Sequence, residues 1–247
     1  MAGWIDLHCH ILPSVDDGAV DLEMSLEMAR QLKEAGFDVI APSPHYGFGP
    51  GGHVTPSKAD DAREVLRHGL DDAQIGLTLL PNAEHHVSPE MFGFFQNGEV
   101  VPVGGKSKWV LVELPWNPIP KPEDILFRLS VKGYKLILAH PERYKYVDRR
   151  MVERLVSRGV LMQIELGSYV GVYGGRAEER AWRYLERGWS HCVATDLHRP
   201  HLDEFLPEAL KALKGKVGDA GVERGLRENP QLLIDDASAD AIRPLGI

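Results

Sequence analysis

The sequence lacks several features that would place it in a membrane, secreted or fibrous class. Only two cysteines occur among 247 residues, too few for a disulfide scaffold. No uninterrupted run of about 18 apolar residues is present, so no transmembrane helix is expected. The first ten residues show neither the basic nor the apolar region of a signal peptide. We therefore expect a cytoplasmic protein that does not insert into a membrane.

Basic residues are also scarce. Lys and Arg total 28 against 36 Asp and Glu, which gives a net charge of −8 with histidine neutral. No basic run could neutralise the phosphates along a nucleic acid, so a nucleic-acid partner is not expected. The chain is 43% hydrophobic and 26% charged, as is ordinary for globular proteins. Its 11 histidines are the informative excess.

A repeated local pattern predicts the fold. Four helix-like segments end in glycine, at Gly36, Gly133, Gly159 and Gly188, and each leads into an apolar run. Glycine adopts the left-handed conformation that ends a helix, so the pattern indicates repeated α-to-β connections. Strands are predicted near 4–10, 38–44, 76–82, 109–113, 135–139, 161–166 and 191–195. Helices are predicted near 21–35, 57–72, 122–132, 148–158, 177–187, 203–214 and 219–227, the last stopping at Asn229-Pro230.

Seven strands that alternate with helices indicate a (β/α) barrel with one unit fewer than the usual eight. An open doubly wound sheet is the alternative, but residues 11–18 after the first strand do not form the G-x-G-x-x-G motif of that fold. Two loops are long. Residues 46–57 are rich in Gly and Pro and are predicted to be mobile, and residues 87–108 are predicted to expose Phe92, Phe94 and Phe95.

Histidines and carboxylates recur at the predicted strand ends. Six of the seven strands end in, or run into, His, Asp or Glu, and the sixth strand has Glu165 close to its end. These ends meet at one mouth of a barrel. His8 and His10 share one face of their strand because side chains alternate. Nine candidate metal ligands exceed what one ion needs, so two or three divalent ions are expected; the nine are His8, His10, Asp17, His45, Glu84, Glu113, His140, Asp196 and His198.

Simpler interpretations exist for each of these residues. Taken singly, Glu84 or Glu113 would be an ordinary surface carboxylate, and the histidine of His140-Pro141 would be a loop residue. Taken together they argue for cations, because burying so many ionisable groups at one end of a barrel is costly without them. The other histidines are interpreted as surface residues or as supports of the ligands; these are His53, His68, His85, His86, His191 and His201.

Four stretches of the chain resemble a known superfamily. They are residues 5–19 (IDLHCHILPSVDDGA), 139–144 (AHPERY), 194–198 (ATDLH) and 228–230 (ENP). In order and over nearly the whole chain, they resemble the polymerase and histidinol phosphatase (PHP) superfamily, in particular its bacterial CpsB/YwqE-type protein tyrosine phosphatases. The resemblance implies a single PHP domain over residues 1–247 with a distorted (β/α)7 TIM-like barrel. It also implies a metal cluster that often contains manganese, with iron or zinc as alternatives.

The same resemblance implies an activity and a partner. Members hydrolyse phosphotyrosine on autophosphorylating bacterial tyrosine kinases that govern capsule and exopolysaccharide synthesis. The matching metal positions are the nine candidate ligands, with Asp17 rather than Asp16 aligned. Arg143 matches an arginine that contacts phosphate. A second family arginine is replaced here by Asp203, and Arg199 is the candidate substitute.

The expected mechanism is attack of a metal-bound hydroxide on phosphorus, in line with the leaving tyrosyl oxygen. Arg143 would hold phosphate oxygens by bidentate contact. His45, His198 or a ligated water would protonate the leaving oxygen. Contacts to the phenyl ring are assigned to five candidate aromatic residues, namely Tyr46, Phe48, Phe92, Phe94 and Phe95.

Four alternatives remain. A cysteine-nucleophile phosphatase needs five residues between Cys and Arg, whereas Cys192 and Arg199 are separated by six and Val15 stands where Cys9 would need Arg. A metal-dependent amidohydrolase would commonly place a carboxylated lysine where Glu113 stands. The other two are a small-molecule phosphatase of the histidinol-phosphatase type and a metal-binding regulatory protein without turnover. The sequence does not indicate an oligomeric state.

Overall fold

The computed structural model describes residues 3–49, 52–88 and 90–246 of the chain. Within these residues the strands are β1 (Trp4–Asp6), β2 (Phe37–Ile40), β3 (His45–Gly49), β4 (Gly52–Val54), β5 (Thr78–Leu79), β6 (Glu84–His86), β7 (Trp109–Glu113), β8 (Lys135–Ala139), β9 (Leu161–Glu165) and β10 (Cys192–Ala194). The α-helices are α1 (Leu22–Glu34), α2 (Pro56–Asp72), α3 (Met91–Asn97), α4 (Pro122–Val131), α5 (Arg149–Ser157), α6 (Gly175–Glu186), α7 (Leu206–Glu223) and α8 (Asn229–Ile234).

The strands form two sheets that together give the predicted arrangement. A small parallel sheet has the order β1-β2-β5, and a larger one has the order β10-β9-β8-β7-β6-β3-β4. The second and third predicted strands are each split in two, as β2 with β3 and β5 with β6. The breaks coincide with three prolines, Pro42, Pro44 and Pro81. Because proline has no backbone N–H group, it cannot donate a hydrogen bond to the neighbouring strand. Mixed α/β architecture with a parallel sheet is therefore confirmed.

The first and last strand positions are neighbours. Cys9 and Leu197 form a parallel bridge outside the named strands. On either side of it, His10 N donates to Leu197 O at 2.9 Å and Asp196 N donates to His8 O at 2.9 Å. These bonds join the first and last strand positions through an isolated bridge, without a continuous ladder.

Side-chain alternation divides the apolar core into two clusters. In β7, Trp109 and Leu111 belong to a small cluster that also contains Ile5 and Ile137 from other strands. Val110 and Val112 belong to a larger cluster that includes the buried faces of the helices. The same alternation carries Glu113 to the face of Trp109 and Leu111, at the carboxyl end of the strand. The interior of the barrel is thus apolar along the strands and polar at their carboxyl ends.

Several predictions of local structure are wrong. Residues 46–57, predicted to be a loop, include an antiparallel hairpin of β3 and β4, although Pro50 and Gly51 lie outside the described residues. The predicted mobility of this segment stays a prediction. Residues 87–108 contain α3, in which Phe95 is buried and Phe92 packs partly buried against the core, so these rings are not exposed.

The carboxyl-terminal helices also differ from the prediction. Helix α7 continues to Glu223 across a break at Gly218, where φ is 68°. A π-helical turn, Arg224–Glu228, then joins it to α8. Pro230 lies in the first turn of α8, where its missing N–H would have no intrahelical partner, so it does not end the helical region. No helix in the described ranges has the length and apolar character needed to cross a bilayer.

Candidate metal centre

The nine predicted ligands converge at the carboxyl end of the barrel. Together with Glu165 they form overlapping groups of three or four side chains, each group having its ligand atoms within 4.8 Å of one another. Most of them, with Trp116 and Arg143, line a cavity of about 120 Å³. The structure therefore brings all nine predicted side chains together in one site.

The first strand and the last strand supply one group. His8 Nε2 lies 3.0 Å from Asp196 Oδ1 and 3.3 Å from Glu84 Oε2. His10 Nε2 lies 3.3 Å from the same Asp196 oxygen. The Cys9–Leu197 bridge explains this proximity, since it fixes the register of the two strand ends.

The second, third and fourth strand positions supply another group. His45 Nδ1 lies 2.9 Å from Glu113 Oε1 and 3.0 Å from Glu84 Oε2. On its other side, His45 Nε2 lies 3.3 Å from Asp17 Oδ1. Glu84 Oε1 is 2.8 Å from His140 Nε2, so this carboxylate lies between the two groups.

The hydrogen bonding of the described residues leaves ligand atoms unsatisfied. His45 Nδ1, Glu84 Oε2 and Asp196 Oδ1 are buried and form no hydrogen bond within the described residues, although each lies 2.9–3.3 Å from a ligand atom of a neighbouring side chain. Buried polar atoms in proteins are otherwise nearly always paired. Imidazole nitrogens and carboxylate oxygens at one buried centre are the donor set of Mn, Fe or Zn. The residues present therefore fit a cluster of divalent cations.

The electrostatics of the site show the same need for positive charge. Burial disfavours protonation of His8, but the carboxylates of Glu84 and Asp196 outweigh it and hold the pKa of His8 well above its usual value. Burial is likewise outweighed at His10, whose pKa is raised to about 9 chiefly by Asp16. Burial opposes ionisation of Glu84, yet the neighbouring histidines hold its pKa well below its usual value. Anionic side chains here require cationic partners.

Two residues that the sequence analysis did not assign, Gln163 and Asp16, orient the histidines, and a third, Asp6, joins the strands that carry the site. His8 Nδ1 donates to Gln163 Oε1 at 2.8 Å, and His10 Nδ1 donates to Asp16 Oδ2 at 2.8 Å. Asp6 accepts from Thr195 Oγ1 at 2.5 Å and ties β1 to the last strand. Such partners fix the ring orientation of ligating histidines. Strand alternation could have identified Gln163, because it is two residues before Glu165.

The backbone at the site is unusual in three places. His140 and Asp196, which follow β8 and the β10 segment, have φ values of 37° and 49°. Such left-handed backbone is uncommon for residues other than glycine, and strained positions cluster at functional sites. At Gly18 an added Cβ would lie 2.0 Å from His10 O. The 14–19 turn therefore packs directly on His10, and this places Asp16 and Asp17 beside the histidines.

Arg143 projects into the cavity from the segment after β8. Its Nη1 lies 2.8 Å from Asp196 Oδ2 and 2.9 Å from Glu165 Oε1. Burial raises the pKa of Glu165 well above its usual value, with Arg143 opposing it. Arg199, the candidate substitute for the second arginine, is exposed and is not among the residues that line the cavity. Its role in binding substrate remains a prediction.

The interpretation of the remaining histidines is partly wrong. His86 supports a ligand as expected, since its Nδ1 lies 3.2 Å from Glu113 Oε1. His85 and His191, however, are buried core residues. His85 donates through Nδ1 to Leu111 O and accepts at Nε2 from Val101 N. A neutral imidazole can thus form hydrogen bonds with one backbone C=O and one backbone N–H group. The polarity of histidine in the sequence does not indicate such a buried position.

The cysteines are unsuited to nucleophilic chemistry. Cys9 and Cys192 are both buried. Burial raises the pKa of Cys192 to about 12 and raises that of Cys9 well above its usual value. The thiolate is the nucleophilic form, and neither site favours it.

Comparison with known proteins gives consistent results. A family model described as capsular polysaccharide synthesis, CpsB/CapC, matches residues 4–235. The chain is 32% identical over 234 residues to the tyrosine-protein phosphatase YwqE of Bacillus subtilis, covering 93% of this chain and 91% of that protein. It is 26% identical over 247 residues to the tyrosine-protein phosphatase CpsB of Streptococcus agalactiae, covering 95% and 97%.

A solved structure shares the fold throughout. It belongs to a study of YwqE from Bacillus subtilis and CpsB from Streptococcus pneumoniae, described as unique metal-dependent tyrosine phosphatases. The TM-score is 0.85 with 32% sequence identity, and the match covers 95% of each chain.

Proposed function

The chain belongs to the CpsB/CapC family, and from this premise we propose that it is a metal-dependent protein tyrosine phosphatase. The single observation that carries the proposal is the cluster of nine histidines and carboxylates, of which all but Asp17 and His198 are buried, with Arg143 at its edge. A lone phosphate-binding arginine or a lone histidine pair would not support it. The cluster also suits a phosphomonoester dianion, because cations and a guanidinium group both neutralise its charge.

The metal ligands in this proposal are the nine clustered side chains. We propose that these side chains would hold two or three ions, manganese above iron or zinc. Divalent ions in such a site supply positive charge to the phosphoryl oxygens and lower the pKa of water. Gln163 and Asp16 keep the rings of His8 and His10 in the orientation that presents Nε2 to the site.

Arg143 is the proposed phosphate anchor. One nitrogen, Nη1, is engaged by Glu165 and Asp196, and this fixes the guanidinium plane. The remaining N–H groups then have a fixed orientation and can bind phosphoryl oxygens in a bidentate manner. His45 and His198 line the same cavity and are the candidate proton donors to the leaving phenolate oxygen.

We further propose the cellular setting that the family description suggests. The substrate would be a phosphotyrosine segment of a bacterial tyrosine kinase in capsule or exopolysaccharide synthesis, and the enzyme would act in the cytoplasm as a single phosphoesterase domain. No nucleic-acid partner is needed for this activity.

The test combines elemental analysis with substrate comparison. We expect the purified protein to contain more than one equivalent of divalent metal. It should hydrolyse a phosphotyrosine peptide faster than phosphoserine or histidinol phosphate, lose activity on chelation and regain it most fully with Mn²⁺. Phosphotyrosine hydrolysis unaffected by chelation, or better turnover of histidinol phosphate, would contradict the proposal. Metal binding without any phosphomonoester hydrolysis would instead favour a regulatory protein.

A further inference from the structure

Two of the aromatic side chains that were predicted to contact a phenyl ring do not supply an open surface at the site. Tyr46 and Phe95 are buried, with 3% and 6% of their surface exposed. The side chain of Phe48 lies outside the described part of the chain. Trp116 is different, because it lines the cavity and is 48% exposed. No periodic signal marks this residue, which follows β7 in the sequence Glu113-Leu114-Pro115-Trp116.

The indole of Trp116 lies beside the groups that would bind phosphate. Its ring stacks nearly parallel on the ring of His140, with centroids 5.8 Å apart and planes at 10°. The Arg143 guanidinium carbon lies 4.9 Å from the centroid of the Trp116 ring and 4.2 Å from that of Tyr173. An aromatic surface therefore adjoins both a proposed metal ligand and the proposed phosphate anchor.

The backbone that carries Trp116 is well anchored. Leu114 N donates to Tyr144 Oη at 2.9 Å, and Pro115 O accepts from Tyr146 Oη at 2.6 Å. Proline itself restricts the local backbone. The indole is therefore exposed on a fixed support, and little conformational freedom would be lost when a ligand packs on it.

The size of the cavity shows where a ring must lie. At about 120 Å³ it is smaller than the roughly 300–1,000 Å³ of pockets that enclose whole organic ligands. A cavity of this size does not enclose a whole phosphorylated phenol. The ring of such a substrate is therefore placed at the mouth, beside the 48% exposed side chain of Trp116.

We propose that Trp116 is a specificity-determining residue that packs against the phenyl ring of phosphotyrosine while Arg143 binds its phosphoryl group. This inference rests on the proposed phosphatase function and goes beyond it by assigning the preference for aryl over alkyl phosphomonoesters to one side chain. Aromatic pairs gain energy beyond area burial, and an alkyl chain would make a smaller contact. Trp116 does not act on the reacting atoms.

The test uses non-hydrolysable probes, so that ring binding is separated from the better leaving group of aryl phosphates. Inhibition constants of phenylphosphonate and ethylphosphonate are measured for the metal-loaded wild type and for Trp116→Ala and Trp116→Phe. We expect Trp116→Ala to weaken phenylphosphonate about three- to tenfold with ethylphosphonate nearly unchanged. Trp116→Phe should retain most of the preference. For phosphotyrosine peptides, KM should rise while kcat changes little, as for uniform binding.

Controls separate this role from a structural one. Phe127→Ala removes another exposed aromatic ring, 54% exposed and outside the cavity lining, and should change neither constant. Metal content and thermal unfolding of each variant show whether the site is intact. Retained phenylphosphonate affinity in Trp116→Ala would overturn the inference, and so would equal weakening of both probes, which indicates displacement of Arg143 or His140.

Failure of this inference can be distinguished from failure of the proposed function. A wild type that hydrolyses phosphotyrosine but binds both phosphonates equally contradicts only the role of Trp116. A wild type that prefers phenylphosphonate through Trp116 but hydrolyses no phosphomonoester supports the ring surface and contradicts the phosphatase activity.

Discussion

His8 and His191 are equally hidden from solvent but have opposite surroundings. His8 Nε2 faces the carboxylates of Glu84 and Asp196, whereas His191 Nδ1 accepts a backbone hydrogen bond from Met162 N at 3.1 Å. Burial lowers the pKa of His191 to about 4. Burial acts on His8 in the same direction, but the two carboxylates outweigh it and hold the pKa of His8 well above its usual value.

The difference shows what distinguishes a metal site from a polar core residue. Burial by itself excludes charge from an imidazole. Only a surplus of buried carboxylate reverses this effect, and such a surplus is costly unless cations balance it. The carboxyl end of the barrel has the surplus, and the surroundings of His191 do not. Three substitutions can break or sharpen this contrast.

Glu84→Gln should have the largest effect. Glu84 lies within 3.6 Å of nitrogens of four histidines, and these are His8, His10, His45 and His140. Removing its charge takes away the proposed ligand that lies nearest to these histidines. We expect a loss of bound metal and a fall in phosphotyrosine kcat/KM of about 100-fold or more, beyond the range typical of supporting residues. Elemental analysis and steady-state kinetics measure both.

The matched control is Glu64→Gln. Glu64 is an exposed residue of α2 that pairs with Arg67 at 2.7 Å. Exposed pairs contribute little, so metal content and activity should equal those of the wild type. Full metal content in Glu84→Gln would show that this carboxylate is not a ligand.

Asp16→Asn should have an intermediate effect. Asp16 Oδ2 accepts from His10 Nδ1 at 2.8 Å and from His45 N at 3.0 Å, but the side chain is not among the proposed ligands. An amide can still accept from His10 but no longer makes the ring more basic. We expect metal affinity and kcat/KM to fall about tenfold, as for other partners of ligating histidines.

Asp60→Asn is the control for this substitution, because the exposed Asp60 pairs with Arg63 within α2, away from the clustered side chains. It should leave metal affinity unchanged. If Asp16→Asn abolishes metal binding as completely as Glu84→Gln, Asp16 is itself a ligand and the assignment of Asp17 needs revision.

His191→Gln should have the smallest effect, on stability alone. Between pH 6.5 and about 4 the unfolded chain protonates this histidine while the folded chain does not. The unfolded state then binds more protons, so the wild type loses stability as the pH falls, by roughly 3 kcal/mol at the end of that range. The variant lacks this loss, so its stability relative to the wild type should improve on acidification.

Urea unfolding at pH 7.5 and pH 4.5 measures this difference. At pH 7.5 the variant should be less stable, because it disturbs a buried hydrogen bond worth about 1–3 kcal/mol when one partner is left unsatisfied. Metal content and kcat/KM should be unchanged. The exposed His68→Gln is the control, and a pH slope that changes equally in both variants would contradict the prediction for His191.

The positions of the clustered residues were predictable because they depend on simple rules. Strand ends converge in a barrel, and alternation keeps His8 and His10 on one face. The choice of Asp17 over Asp16 came only from the resemblance; the contacts of His10 with Asp16 and of His45 with Asp17 agree with that choice. The ligand roles themselves stay predictions.

Other features could not be predicted because they depend on tertiary contacts. His85 and His191 are polar in sequence but bond to backbone groups that only the folded chain brings near. Pro230 ends a helix in isolation but here begins another. Trp116 lies in a segment without periodicity, and its position at the cavity becomes apparent only from the folded structure, where its ring stacks on that of His140.

The bridge between Cys9 and Leu197 has a consequence for biosynthesis. His8 and His10 leave the ribosome early, whereas Asp196 and His198 follow only after most of the polypeptide has been translated. A nascent chain therefore lacks part of the donor set until residue 198 has emerged, and premature termination before that point yields a product unable to complete the centre. On the proposed ligand assignment, metal binding to the complete set should therefore follow translation of the last strand.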